Sequence, residues 1–456
     1  MENTSIERIK EIRGRQERFF RSGVTLDVKW RLERLKAFEA AVRKWEKPLC
    51  EALWTDLHKS YEEAYLTEVS ILLGEIRSHI HNIRKWSRPQ RKPTPLKMFP
   101  SSSRIISEPL GTALIISPWN YPVQLLLTPL VGAISSGCTA VLKPSPYVPN
   151  VSEVTRQMIE DTFSDEYVAV VQGNREVNTA LLEERWDLIF FTGSPALGRL
   201  VMGAAAKNLT PVILELGGKS PCIVDKDADI KVAAKRIAWG KSLNAGQTCI
   251  APDYLMIHEE IKDEFLKELE TSFKELLGAD ASTTGHFVRI VNDKAFDRLE
   301  GYLKDGQIAF GGHTDRSDRY FEPTVLDGVS PDAPVMREEI FGPIFPVQTF
   351  KDIDEVISFV TSREKPLALY YFGSRGDYVL RHTSSGGACI NDTIMHIANE
   401  NIPFGGVGNS GLGSYHFKRS FDAFTHYRAV VTTPTWLDLP FRYMPYKFFK
   451  AVKRLL

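Results

Sequence analysis

From Gly111 onward the chain alternates short apolar runs with helix-length segments, and this alternation limits the fold more than any other feature. Gly111-Thr-Ala-Leu-Ile-Ile-Ser117, Ala140-Val-Leu142, Tyr167-Val-Ala-Val-Val171, Leu188-Ile-Phe-Phe191 and Val212-Ile-Leu-Glu-Leu216 read as strands. A run that is apolar at successive positions is buried on both faces, as in a parallel sheet covered by helices. A helical stretch from about 125 to 136 separates the first two runs. The pattern restarts with strand Cys222-Ile-Val224, helix Ile230 to Lys241, strand Tyr254-Leu-Met-Ile257 and helix Lys262 to Leu277. Two α/β units are expected, with their boundary near Gly217-Gly218. A chain of 456 residues also exceeds one usual core, so more than one domain is required.

The first 88 residues or so read as helices, with Ile6, Ile9, Phe19 and Phe20, then Leu32, Leu35, Phe38 and Val42, near helical spacing. Lys85 to Pro100 is rich in Arg, Lys and Pro and breaks that pattern, as a linker or an extended excursion. Basic and acidic side chains balance at 57 each, which argues against nucleic acid as the main partner. The five cysteines (Cys50, Cys138, Cys222, Cys249, Cys389) are odd in number and form no Cys-x-x-Cys or Cys/His cluster. No metal and no disulfide framework are expected, and a reducing, cytoplasmic compartment fits. The start, Met-Glu-Asn-Thr-Ser-Ile-Glu-Arg, lacks an apolar signal core. The end, Tyr446 to Leu456, is basic and apolar but too short and charged to span a bilayer. It either makes weak peripheral contact with an anionic membrane or packs on a partner subunit.

The chemistry concentrates in a few motifs. Cys249, in Asn244-Ala-Gly-Gln-Thr-Cys-Ile250, follows Gly-Gln-Thr and precedes a hydrophobic strand, and is a candidate nucleophile because thiolates attack carbonyls near neutral pH. Glu215, before Gly217-Gly218, can act as a base beside it. Asn120, in Ser117-Pro-Trp-Asn-Tyr-Pro122, either donates its amide N–H to a developing oxyanion or bonds its own backbone. Gly193 and Ser194 open a helix at Pro195, so backbone N–H groups there either face a phosphate or are ordinarily capped. Lys143 ends a strand and either reaches ribose hydroxyls or a 2′-phosphate, or is solvated. In an extended Glu339-Ile-Phe341 segment, Glu339 and Phe341 would point the same way, to hold a ribose diol and brace a nicotinamide ring; otherwise they are a solvated Glu beside a core Phe. Gly406-Val-Gly408-Asn-Ser-Gly411 matches Gly-x-Gly-x-x-Gly literally, but it follows Asn401-Ile-Pro-Phe404 rather than a strand and reads as a tight loop. His382 and His396 lack metal-ligand spacing, and the four remaining cysteines read as inert core thiols.

In this order the motifs resemble the aldehyde dehydrogenase superfamily, over about residues 5 to 435. Pro403-Phe-Gly-Gly-Val-Gly-Asn-Ser-Gly-Leu-Gly-Ser-Tyr-His416 is similar to its class 3 branch, which acts on medium-chain, long-chain and aromatic aldehydes. Arg442-Tyr-Met-Pro-Tyr446 resembles that branch's Arg-Tyr-Pro-Pro-Tyr tail motif. The resemblance implies an α/β fold with two parallel-sheet domains and a small β bridging element for oligomerisation. The Rossmann-like cofactor domain would take residues 1–87 and 108–215, the catalytic domain 216–420, the bridge 88–107 and 421–435, and the tail 436–456.

The same resemblance implies roles for single residues. Cys249 is the nucleophile, Glu215 the general base, and Asn120 the oxyanion donor together with the Cys249 backbone N–H. Trp119, Lys143, Gly193, Ser194, Glu339 and Phe341 are the implied contacts of NAD or NADP. Tyr121, Ile394, Ile397 and His416 are expected to wall the aldehyde channel. The branch usually has Glu where this chain has Pro146, after Lys143-Pro-Ser; losing that carboxylate suits NADP at least as well as NAD. The expected reaction turns apolar aldehydes into carboxylic acids through a thiohemiacetal and a thioester, in a homodimer. The alternatives are a CoA-acylating dehydrogenase, against which Glu215 argues, and a silent structural member, against which the intact Cys249, Glu215 and Asn120 argue.

Overall fold

The computed structural model describes residues 2–440, 443–446 and 448–455. The apolar runs at the start of the alternation form one six-stranded sheet. Its order is Gly411–Leu412, Val212–Leu216, Leu188–Gly193, Thr112–Ile116, Thr139–Lys143, Val168–Val170. Neighbours are parallel except Gly411–Leu412, which runs antiparallel to Val212–Leu216. Successive side chains go to opposite faces. Leu114, Ile116 and Val141 share a core with Ile9 and Ile12 of the helix Ile6–Arg21 and with Val201 of the helix Pro195–Ala206. Ala113, Ile115 and Leu142 share another with Leu126, Leu127 and Leu130 of the helix Gln124–Ser136. Every residue of that helix is buried, so it has no polar stripe. Each such Leu or Ile contributes roughly 1.5–3 kcal/mol by leaving water.

The second sheet has seven strands in the order Gln307–Phe310, Thr324–Asp327, Ile344–Phe350, Tyr254–His258, Pro221–Val224, Ala368–Phe372, Gly387–Ile390. Only its Gln307–Phe310 edge is antiparallel. The helix Lys262–Leu277 buries Phe265, Leu269, Phe273 and Leu277 at helical spacing. A third, antiparallel sheet has the order Gln90–Lys92, Ser102–Pro109, Thr425–Thr432, so the strand of the Arg/Lys/Pro-rich excursion pairs with Ser102–Pro109, which in turn pairs with a strand from near the C-terminus.

The expected 216–420 unit is not continuous in space. Gly411–Leu412 returns to the edge of the first sheet, and Lys418–Ala423 packs on the helix Gln124–Ser136. Glycine makes the first return feasible: Gly411 has φ +155°, and a Cβ there would lie 2.4 Å from the Leu214 carbonyl oxygen. The preceding Gly-rich run is a tight turn through Gly408–Ser410, not a strand-to-helix loop. The tail contains a helix, Phe449–Leu455, preceded by exposed Phe448; Arg442 of the tail motif lies outside the described residues. Among the described residues no helix is long and apolar enough to cross a membrane.

Candidate active site

Strand ends of parallel sheets are where ligands bind, because backbone and helix N-termini converge there. The Ser117–Pro122 turn leaves the C-terminal end of Thr112–Ile116 and leads into the buried helix. Asn120 is buried, and its Nδ2 donates to the Gln247 carbonyl at 3.0 Å, while its Oδ1 has no partner. The Tyr121 hydroxyl lies 2.7 Å from Thr248 Oγ1. The turn of the first unit therefore touches the 244–250 loop of the second.

That loop is built around three left-handed residues. Asn244, Ala245 and Gly246 have φ of +52°, +51° and +70°. A Cβ at Gly246 would meet the Gly342 carbonyl oxygen at 2.4 Å, so only glycine fits. Gln247 is the peg: Nε2 donates to the Asn244 and Arg289 carbonyls, both at 3.1 Å, and Oε1 accepts the Val291 N–H at 3.1 Å. These requirements account for Gly-Gln before Thr248-Cys249.

Glu215 sits on the strand Val212–Leu216, paired with Thr192 on one side and Gly411 on the other. Both carboxylate oxygens are buried without a partner. Burial alone pushes this carboxyl well above its ordinary value. Burial also raises the Cys249 thiol, and the Glu339 and Glu215 carboxyls add to the rise. Cys249 and Glu215 line one cavity of about 80 Å³. Its other walls are mostly apolar, from Ile71, Leu125, Leu243, Ile394, Ile397 and Phe404. Tyr121 lines it as well. A thiol and a carboxyl that line one mostly apolar chamber can supply a nucleophile and, once ionised, a base for hydrolysis.

His416, expected in the channel, is not among the residues lining this cavity. It stacks on Tyr415 at 4.0 Å between ring centroids, with Nδ1 3.5 Å from Glu75 Oε2. Tyr415 takes the wall position instead, and His416 is left-handed at φ +74°. Tyr415 and Thr192 both line the cavity and were not singled out from sequence; a lone aromatic or hydroxyl beside a Gly-rich turn obeys no spacing rule.

The expected cofactor contacts gather at the same end of the first sheet. Lys143 ends its strand fully buried, and its Nζ donates to the Pro144 carbonyl at 2.8 Å. Burial lowers it to about 8. Ser194 caps the helix Pro195–Ala206, its side chain accepting the Leu197 N–H at 3.4 Å. Gly198 lets that helix approach the sheet, since a Cβ would lie 2.7 Å from Leu216 Cδ2. Gly193 packs on Phe191, 2.6 Å from where a Cβ would stand. Trp119 and Phe341 meet edge-to-face, with centroids 5.5 Å apart.

Glu339 lies where a side chain at residue 217 would be: a Cβ on Gly217 would stand 2.0 Å from Glu339 Oε2. Burial, then Asp253, raises Glu339 to about 8, and its Oε1 has no partner. The segment is not extended as the sequence suggested, since Phe341 is left-handed at φ +51°. The loop must thread past Gly246 on one side and Leu299 on the other, where a Cβ on Gly342 would clash at 2.6 Å. Lys219 anchors it: Nζ pairs with Asp253 and donates to the Val335 and Glu338 carbonyls at 2.8 and 2.9 Å, while Asp253 accepts the Ile340 N–H at 2.9 Å. A buried ammonium with one carbonyl partner and a buried carboxylate with a free oxygen fit a ligand that carries hydroxyls and phosphates. Among the described residues no group of three or more His, Cys, Asp or Glu is placed to hold a metal ion.

Comparison with known proteins agrees with this geometry. The aldehyde dehydrogenase family model matches residues 4–430. The 4,4'-diaponeurosporen-aldehyde dehydrogenase of Staphylococcus aureus (strain NCTC 8325 / PS 47) is 46% identical over 441 residues, 95% of this chain and 96% of that one. The dimeric, NADP-preferring aldehyde dehydrogenase of Canis lupus familiaris is 41% identical over 447 residues, 96% of this chain and 98% of that one. The solved substrate-bound state of Staphylococcus aureus AldH superposes with a TM-score of 0.96 at 44% identity, over 98% of this chain and 99% of that one. The chain belongs to the aldehyde dehydrogenase family.

Proposed function

We propose that this enzyme oxidises apolar aldehydes to carboxylic acids with NAD or NADP, using Cys249 as nucleophile, Asn120 as oxyanion donor and Glu215 as base. The observation that carries the reading is that Cys249 and Glu215 line one mostly apolar cavity. Cys249 gives its thiol proton to solvent and the resulting thiolate sulfur bonds the aldehyde carbon. The oxygen becomes an oxyanion, held by the second N–H of Asn120 Nδ2 and the Cys249 backbone N–H. NAD or NADP, held by the residues named below, would supply the hydride acceptor for that carbon. Cys249 is then left acylated as a thioester. Glu215 takes a proton from water, whose oxygen displaces the sulfur and releases the acid. A carboxylate placed to activate water argues against CoA as acceptor.

Lys143 would reach ribose hydroxyls, the Gly193–Ser194 helix start would face the phosphates, Glu339 would accept from the nicotinamide ribose, and Trp119 with Phe341 would brace the ring. Pro146 brings no carboxylate to repel a 2′-phosphate, so NADP serves at least as well as NAD; a strong kinetic preference for NAD contradicts this. The relative named dimeric supports a homodimer, joined through the sheet of residues 90–92, 102–109 and 425–432. The tail, with exposed Phe448 and Phe449 and basic Lys450, Lys453 and Arg454, would pack on the partner subunit, with weak peripheral membrane contact as its second role. The five unpaired cysteines support a cytoplasmic setting.

The apolar walls and the relative named for 4,4'-diaponeurosporen-aldehyde support an apolar substrate. Hexanal buries four more methylenes than acetaldehyde, and at about 0.8 kcal/mol each its kcat/KM should be on the order of 10² higher. A ratio near one overturns the apolar assignment.

A further inference from the structure

The segment from Lys59 to Glu68 sends three charged side chains inward, and all three end on backbone next to the reacting groups. Lys59 is fully buried; its Nζ bonds Glu68 Oε1 at 2.6 Å and the Asn120 carbonyl at 3.1 Å. The other Glu68 oxygen accepts the N–H groups of Val123 and Gln124 at 2.8 and 3.3 Å. Glu63 Oε1 accepts the Asn244 N–H at 2.7 Å. Asn244 Nδ2 closes the circuit, donating to the Asn120 and Gln247 carbonyls, both at 3.0 Å. The first unit's Asn120 turn and the second unit's nucleophile loop are thus fixed against each other by one short segment.

Two features indicate that this is a built device. Residues Tyr65–Val69 form a π-helical turn between α-helices, a widening that is frequent at functional sites. Within it Thr67 lines the cavity while Glu68 reaches Lys59. The element Glu63 grips, Asn244-Ala245-Gly246, is entirely left-handed. Non-glycine residues hold that conformation only where surrounding contacts over-determine it.

We propose that Lys59, Glu63 and Glu68 are positioning residues for the oxyanion site: Lys59 and Glu68 set the Asn120 turn, and Glu63 sets the Asn244 turn that presents the Cys249 N–H. This rests on the reading of Asn120 and Cys249 given above. The partner of the Asn244 N–H must be an acceptor; a negative charge is not needed. Burial raises Glu63 to about 7, with Glu68 adding to the rise and Lys59 and the Asn244 N–H opposing it. Lys59, Glu68 and Tyr121 are the titratable groups facing it.

The test compares Glu63→Leu, which removes the acceptor, with Glu63→Gln, which keeps an amide oxygen there. Dehydrogenase kcat and KM are measured with hexanal, and thermal unfolding is followed in parallel. A displaced oxyanion donor costs rate rather than binding, so Glu63→Leu should lose about 10–100-fold in kcat with both KM values within about twofold. Glu63→Gln should recover kcat to within about threefold of wild type. Equal kcat for all three proteins, or a loss in Glu63→Leu that Glu63→Gln does not rescue, overturns the proposal. Should Glu63→Leu fail to fold, Lys59→Met, which removes the ammonium bonded to the Asn120 carbonyl, must show the same kcat loss at unchanged KM; normal kcat there overturns it equally. Cys249→Ala is run alongside. Turnover in that variant would mean that the underlying mechanism is wrong, whereas its inactivity beside a normal Glu63→Leu would mean that only the positioning role is wrong.

Discussion

Replacing Asn120 by alanine tests the proposed oxyanion role in isolation, because the surroundings stay pinned when that side chain is removed. The Asn120 amide carries two N–H groups, and one of them goes to the Gln247 carbonyl. That carbonyl keeps Asn244 Nδ2 at 3.0 Å in the variant, and the Gln247 side chain keeps its three bonds to the loop. The Asn120 carbonyl keeps Lys59 and Asn244 Nδ2. The stability cost is therefore about that of one neutral hydrogen bond, roughly 1 kcal/mol. The catalytic cost is much larger, since one preorganised donor to an oxyanion in a dry site is worth about 10²–10³ in rate, roughly 3–4 kcal/mol. Asn120→Ala should lower kcat by that factor, with KM for hexanal and cofactor changed less than about threefold. Initial rates of NAD(P)H appearance, with urea unfolding of the same preparation, measure both terms. A kcat within about threefold of wild type would refute the oxyanion role, and a KM rise at constant kcat would recast Asn120 as a ground-state contact.

Glu215→Gln should give a rapid burst of about one NAD(P)H per site and then a steady state slowed about 10²–10⁴-fold, because thioester hydrolysis loses its base; an undiminished steady-state rate contradicts this. Glu339 makes the cofactor-free enzyme pH-sensitive. Its folded carboxyl holds its proton up to about 8 against an ordinary 4.5, so the folded state binds more protons than the unfolded one across that window. Stability should fall as pH rises through the window and level off above it, and Glu339→Gln should flatten the slope. Urea midpoints across the pH range decide it, and an unchanged slope in the variant argues against a buried protonated Glu339.

What was legible from sequence was what repeats or punctuates. Continuous apolar runs gave the buried parallel strands, and the helix Lys262–Leu277 was readable to its last residue because its apolar positions keep helical spacing. Cys249, Glu215 and Asn120 stood out because each sits beside glycine or proline that the backbone needs. The Gly411–Leu412 strand was not legible, since two residues have no period. The sequence suggests an extended Phe341, whereas it is left-handed, and the following Gly342 packs against Gly246 and Leu299, which are distant in sequence. The Lys59–Glu68 array escaped for the same reason: Asn120 and Asn244, its backbone targets, are 61 and 181 residues away from Lys59 and Glu63.

The most direct test of the account is NAD(P)H formation from hexanal and benzaldehyde by the wild type and by Cys249→Ala, with NAD and NADP in parallel and without CoA. The account predicts turnover by the wild type without CoA and none by Cys249→Ala with either cofactor. Turnover by Cys249→Ala, or wild-type activity only when CoA is added, would contradict it.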